Sequence, residues 1–446
     1  MLFGIRVRGR CVDIESASAP TDTEMRTTEK PMNRSNLFLN ALLIAVLVAL
    51  LAPASQAGKP DGKGGGNGGG GGGGEEDPPA AVPVEYELHM LGDGTAHAMN
   101  EFGVVVGRNV WDGGGIVIPG SLNGVRAMRY TPTANGPVVE DLNEVPNVSW
   151  EDLDQPGVAA SDWIAVSASD INLFGQIVGV AENTRTLETG VFFFEPGSSP
   201  KFTVMPGTGP DPRSYQVGDT IHINNTGVIA AKNPNSLVIY SPAPSSPSFN
   251  IEVVNVSVSR LRGLNDDGWL IGWNDLGGVQ IEPDENGHYS AMVNLHPIVE
   301  GCRLWGINNA SPASICGTKT DGNNWKSNGP FKMVAGGTFA DAEWFYPTNV
   351  GSAKDINDDG DVVQSGGPSY LYYEGQSAGT GTHFVLDDLI APEDSTFWAM
   401  YQMRHPTALT NRDSVAGFPS ICYVLRTDYQ SHDGVVALLI PRVPQP

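Results

Sequence analysis

Apolar residues along this chain come in short bursts, such as Val104–Val106, Val191–Phe194 and Leu237–Tyr240, each bounded by Gly, Asn, Ser or Pro. Bursts of that length between turn residues predict short buried strands. No stretch of the repeat region carries the 3.6-residue period of an amphipathic helix. One phrase punctuates the bursts: an apolar residue, Asn, two variable residues, Gly, then a β-branched run that often ends in Gly. It reads MNEFGVVVG at Asn100, INLFGQIVG at Asn172, INNTGVIAA at Asn224, LNDDGWLIG at Asn265 and INDDGDVVQ at Asn357. INNASPASICG at Asn308 carries an insertion, and TNRDSVAG at Asn411 has lost a residue and the Gly. The seven Asn are spaced 72, 52, 41, 43, 49 and 54 residues apart.

The phrase predicts a tight hairpin. An Asn side chain can accept from a backbone N–H two residues on, and Gly supplies the positive φ that closes the loop. Two further apolar segments follow each hairpin, for example from Arg126 and Val138, from Val191 and Phe202, and from Leu237 and Phe249. Four strands every 40 to 50 residues are the signature of propeller blades. The last copy, Thr407 to Pro441, is one strand short, and a spare strand at Val84–Leu91 precedes the first copy. The fold class expected is therefore all-β: a seven-bladed β-propeller with four-stranded blades, closed by pairing of the N- and C-terminal strands. That closure would set Val84–Leu91 against Val435–Ile440. Six or eight blades, or a two-layer β structure, are the alternatives.

The Asn-centred hairpins, each with a later strand and a D-L ending, make residues 82–446 resemble the HAF repeat family of bacterial extracellular proteins. The triplet naming that family is degenerate here, with Arg126-Ala-Met128, Val191-Phe-Phe193 and Val436-Ala-Leu438 in its place. The resemblance implies an exported repeat protein and assigns no catalytic residue.

Upstream of the repeats the hydrophobic pattern changes. Leu37–Ala52 is one apolar run, with Arg34 before it and Ser55 and Ala57 at cleavage-site positions after it. Those features predict a secretory signal peptide over residues 1–57, cleaved after Ala57, with Met25 or Met32 as alternative starts. The run is shorter than the roughly 20 residues a span requires, so no membrane span is expected after processing. Residues 58–81 are Gly-rich and end in acids and prolines, which predicts a flexible spacer. The expected location is secreted, extracellular or periplasmic.

Charge narrows the partners. With 26 Lys+Arg against 50 Asp+Glu the formal charge is −24, which argues against nucleic acid and anionic membrane surfaces. Cys11 precedes the signal core, leaving Cys302, Cys316 and Cys422 in an exported chain. Cys302 and Cys316 flank the Asn308 hairpin almost symmetrically, so a cross-strand disulfide is expected, with three unpaired thiols as the alternative. Asp355, Asn357, Asp359 and Asp361 match the first half of a calcium loop, but its twelfth position is Gly366. The same residues satisfy the hairpin phrase without an ion, and calcium is the one cofactor candidate.

No nucleophile elbow, zinc-binding His motif or phosphate loop is found. His97 and His222 fall on predicted innermost strands near the axis, and Asp170 and Asp355 occupy the His222 position in their own copies. Long insertions (108–124, 143–165, 206–218, 318–329 and 391–405) are expected to share one face. They carry Trp111, Trp150, Trp163, Trp325 and Trp398. Unequal loops with aromatic residues point to a ligand-binding face for a protein or carbohydrate partner. The Trp could instead pack between blades. The Asn-x-x-Gly face is expected to be a uniform rim. The function read from the chain is a non-catalytic binding or interaction propeller; the alternative is an extracellular polysaccharide-active hydrolase or lyase.

Overall fold

The computed structural model describes residues 84–443 except 111–123, 134, 155–159, 198, 207–220, 233–235, 244–247, 255, 290, 295–300, 322–323, 346–350, 367, 375–380, 402, 415 and 428–433. The expected signal peptide, the spacer, Cys11 and Trp111 lie outside the described residues. Among the described residues no helix is long and apolar enough to cross a membrane.

Strands β1 (Tyr86–Met99), β2 (Val105–Val110), β3 (Val125–Thr131) and β4 (Val138–Asp141) form an antiparallel meander. β5 (Ser149–Asp152) lies parallel to β9 at the edge of the next sheet, made of β6 (Trp163–Ile171), β7 (Ile177–Asn183), β8 (Thr189–Glu195) and β9 (Lys201–Val204). β10 (Ile221–Ile223), β11 (Ile229–Lys232), β12 (Leu237–Pro242) and β13 (Phe249–Val254) follow. Then come β14 (Arg260–Leu264), β15 (Leu270–Asn274), β16 (Gly277–Glu282) and β17 (Ala291–Asn294). The next sheet holds β18 (Cys302–Ile307), β19 (Ser314–Asp321), β20 (Asn324–Val334) and β21 (Glu343–Trp344). β22 (Ser352–Ile356), β23 (Val362–Ser365), β24 (Tyr370–Tyr373) and β25 (Thr382–Val385) lead into helices α1 (Leu386–Leu389) and α2 (Pro392–Trp398). The last strands are β26 (Met403–Arg412), β27 (Pro419–Arg426) and β28 (Gly434–Pro441). The architecture is all-β and propeller-like, built from repeated four-stranded sheets.

β1 serves two sheets. Its first half pairs antiparallel with β28, setting Leu88 opposite Leu439 and Met90 opposite Ala437. From Thr95 onward it pairs with β2. Each sheet is apolar on both faces, because its neighbours cover both. Val178, Val180 and Val191 pack against Ile229, Val238 and Tyr240 of the following sheet. Leu237 and Ile239, of alternate parity to Val238, face onward to Leu261 and Leu270. The β26–β28 sheet shares one cluster with β24 (Leu371, Tyr423, Leu425) and another with β2 and β3 (Val105, Tyr130, Cys422, Val424).

Three sequence expectations change here. First, Cys302 and Cys316 are not bridged, and both are buried free thiols, as is Cys422. Cys302 faces Lys319 across the ladder while Cys316 faces Gly306, so the two are offset along neighbouring strands. They also point to opposite faces: Cys302 packs with Ile271 and Phe331, and Cys316 with Ala353 and Tyr372. Second, the segment after Phe384 is not all strand. It turns into α1, where Asp387 accepts from Trp398 Nε1 (2.9 Å) and Arg404 Nη1 (2.6 Å). Third, the last hairpin is shifted by one residue. Thr410 stands at the repeat Asn position and Asn411 at the next. The turn itself is closed further on by Asp413 and Gly417, whose φ is +72°.

Candidate functional site

The repeat Asn does two jobs in one side chain. Its Oδ1 accepts from the turn: Asn224 takes Thr226 N (3.1 Å) and Val228 N (2.9 Å), and Asn172 takes Phe174 N and Gln176 N (both 3.0 Å). Its Nδ2 donates to the backbone carbonyl of the matching residue in the next sheet. The chain of donors runs Asn100 to Asn172, Asn172 to Asn224, Asn224 to Asn265, Asn265 to Asn308, Asn308 to Asn357 and Asn357 to Thr410, at 2.8–3.3 Å. A parallel belt uses the residue after each Asn. The backbone N–H groups of Leu173, Asn225, Asp266, Asn309, Asp358 and Asn411 donate to the side chains of Asn225, Asp266, Asn309, Asp358, Asn411 and Glu101, at 2.6–2.8 Å. Leu173 has no acceptor to offer Glu101, so that step alone has no partner in this belt.

The belts hold one end of the innermost strands, and the strands themselves carry β-bulges. In β1 the ladder skips His97, in β6 Ser169, in β14 Arg262, in β18 Trp305 and in β22 Lys354. A bulge re-aims the extra residue away from the ladder. All five line a single cavity of about 490 Å³. The Gly that ends several of the β-branched runs is the partner of this device. A Cβ on Gly107, Gly179 or Gly272 would lie 1.8, 2.0 or 2.1 Å from the bulged strand's carbonyl oxygen (Thr95, Ser167 or Arg260).

The cavity lining carries both signs of charge. His222 Nδ1 lies 3.2 Å from Asp170 Oδ2, and Asp170 also accepts from Ile223 N (3.1 Å). Asp355 accepts from Ile356 N (2.9 Å) and Leu409 N (3.1 Å). Burial, with Glu101 and Asp170 adding, pushes its carboxyl up to about 7. Glu101 is likewise raised to about 7 by burial and by Asp358 and Asp359. His97 Nδ1 donates to Ala168 O (2.7 Å), and burial lowers the imidazole to about 4. Among the cations, Lys354 Nζ sits 4.1 Å from the Trp305 ring centroid and Arg262 Cζ 4.8 Å from the same ring. Arg262 also lies 4.7 Å from Trp273, and Arg303 5.4 Å from it. Burial and the neighbouring guanidinium groups lower Lys354 to about 8.

The structure gathers His97, Asp170, His222 and Asp355 at this cavity, as their strand positions suggested. It adds Arg262, Trp305 and Lys354, which sequence reading passed over. Their signal was present: each stands three residues before its repeat Asn, where His97 stands before Asn100. Trp163 and Trp398 do not line this cavity. Trp163 is 4% exposed and bonds Asp152, and Trp398, the last residue of α2, is 3% exposed; both are core residues. Trp150 stacks on Phe202 with centroids 4.1 Å apart. Trp325 lies in β20. The calcium-candidate side chains bond within the protein, Asn357 Nδ2 donating to Asp361 Oδ2 at 3.1 Å. Asp361 is fully buried and held by Arg412 through two contacts of 2.5 and 2.9 Å, while Asp355 faces the cavity and Asp359 accepts from Arg412 N. Among the described residues no cluster of three metal-ligating side chains occurs. The hairpin rim is not uniform either: Phe102 is 69% and Phe174 61% exposed, where other copies carry Thr226, Asp267 and Asp359.

No protein-family model matches the sequence, and no curated protein matches it. Solved structures match at low identity. An ancestral GH74 enzyme aligns at 9% identity over 80% of this chain and 48% of its own, with a TM-score of 0.47. A Trichoderma reesei protein of Carbohydrate-Active Enzymes Family AA12 aligns at 9% over 61% of this chain and 92% of its own, TM-score 0.27. A prolyl endopeptidase aligns at 12% over 78% and 54%, TM-score 0.33. The chain thus spans about half the length of the first of these proteins.

Proposed function

We infer that this chain is an exported, non-catalytic binding propeller of seven four-stranded blades, closed by the pairing of β1 with β28, whose ligand enters the axial cavity. The seven innermost strands each contribute to the cavity lining, which supports a ring around one axis. The HAF-type phrase, the signal-like apolar run and the Gly-rich spacer support export and display away from the cell surface. The observation that carries the binding reading is the alignment of bulged, chemically distinct residues on one cavity whose rim is braced by two hydrogen-bond belts. Repeats that need only to stack have no use for five different side chains at one bulge. Volumes of several hundred cubic ångströms suit a small ligand or the end of a larger one. The partner is a protein or a carbohydrate that presents such a group.

The shifted carboxyls of Asp355 and Glu101, beside the Asp170–His222 pair, favour a second reading as a hydrolase or lyase, since acid–base catalysis uses groups titrating near neutrality. A glycan and peptide array scored for retention and for cleavage separates the two. Retention that is lost in Asp170→Asn, with no product formed, supports the binder. Turnover that is lost in Asp355→Asn supports the enzyme. Retention that survives both substitutions would move the ligand away from this cavity.

A further inference from the structure

We propose that the axial cavity takes a small organic anion, its carboxylate or phosphate group held between Lys354 and Arg262. This deepens the binding reading by assigning the chemistry of the ligand. Several other partly buried cations of this chain meet an acid: Arg412 meets Asp361, Arg404 meets Asp387, and Lys332 meets Glu374. Lys354 and Arg262 meet none among the described residues, although the chain carries 24 more acids than bases. Instead both approach the Trp305 ring, where two like charges share one face-type partner. Arg262 Nε is buried with no hydrogen-bond partner among the described residues, and so is Trp305 Nε1. Like charges held close together out of water repel, and an anion between them removes that repulsion. A guanidinium and an ammonium also supply convergent donors for a carboxylate or phosphate.

The acids of the lining limit what the anion can be. Asp170, Asp355 and Glu101 line the same cavity, so a ligand negative at both ends is repelled. Its far end must instead offer hydroxyl or amine groups, which the Asp170–His222 pair and Asp355 can accept. The geometry thus selects a ligand charged at one end and polar at the other.

The test is calorimetric titration and thermal melting of the full chain at pH 7 and fixed ionic strength, with glucuronate, inorganic phosphate and glucose as probes. Glucuronate or phosphate is expected to bind and to raise the melting temperature, with glucose giving no shift. A response to glucuronate alone marks a carboxylate ligand, and a response to phosphate alone marks a phosphate ligand. Lys354→Gln should weaken binding at least tenfold, while Lys354→Arg retains it. Without ligand, Lys354→Gln should melt no lower than the parent, since no acid loses its partner. The proposal is overturned if neither anion binds better than glucose, or if Lys354→Gln binds the anion as the parent does. If neutral glycans on the array bind through Asp170 while both anions fail here, the binding reading stands and the anion assignment falls.

Discussion

The repeat asparagines show how one side chain can serve two levels of structure. Asn265 accepts from Trp269 N at 2.8 Å and donates to Asn308 O at 3.1 Å, and it is 2% exposed. Removing it strands a buried N–H and a buried carbonyl together. Asn265→Ala should therefore lower stability by about 2–4 kcal/mol in urea titration. Asn265→Asp keeps the acceptor but aims a carboxylate at a carbonyl, so it should be no better tolerated. Lys354 supplies a pH signature. It is faced by Arg262 from β14, Arg303 from β18, the Cys316 thiol from β19 and His405 from β26. Burial, with Arg262 and Arg303 adding, holds it down at about 8, so it is mostly charged at pH 7 and mostly neutral at pH 9. Glucuronate affinity is expected to be full near pH 7 and to fall as pH rises through 8, which titration at three pH values would check. Asp355 has the opposite linkage to a salt-bridged acid. Its folded value of about 7 lies above the unfolded one, so its contribution to stability is complete below pH 4 and is lost as pH rises through 7. Asp355→Asn should accordingly gain stability relative to the parent between pH 5 and pH 8.

The bulged inner strand and the shared first strand are the elements that matter most. Gly272 stands opposite the bulge at Arg262, with no room for a Cβ beside Arg260 O. Gly272→Ala should flatten or break that bulge, lowering stability by more than about 2 kcal/mol and weakening anion binding in parallel. A loss of stability with unchanged affinity would show that the bulge does not aim Arg262. The first half of β1 covers the edge of β28 and buries Tyr86, whose hydroxyl donates to Pro419 O at 3.0 Å. Deleting residues 84–91 exposes both, so the shortened chain should lose its single cooperative melt or melt far lower. Tyr86→Ala is the milder version, expected to cost about 3–5 kcal/mol as a large-to-small core change.

At the scale of the whole molecule, the three thiols report on sheet packing. Cys302, Cys316 and Cys422 are buried in three different inter-sheet cores. Oxidised, denatured protein should therefore yield a free thiol at each of them by mass-spectrometric labelling, and native protein at none. The disulfide expectation failed because the two Cys are centred on Asn309 while the hairpin turns about Ser311, midway between the paired Ile307 and Ile315, so Cys302 meets Lys319 and Cys316 meets Gly306. The Trp expectation fails at Trp163 and Trp398, which lie at the ends of expected insertions and whose rings are buried in the core clusters. The repeated Asn, the Gly at positive φ and the short apolar bursts were legible because each acts within a few residues. They determine the hairpins, the four-strand rhythm and the all-β class. Only the tertiary structure decided which residues meet. Arg262, Lys354 and Trp305 lie in three different repeats, and their convergence depends on the angle between sheets and on bulges that turn one residue per inner strand toward the axis. Those are long-range packing terms, and no local pattern in the chain encodes them one residue at a time.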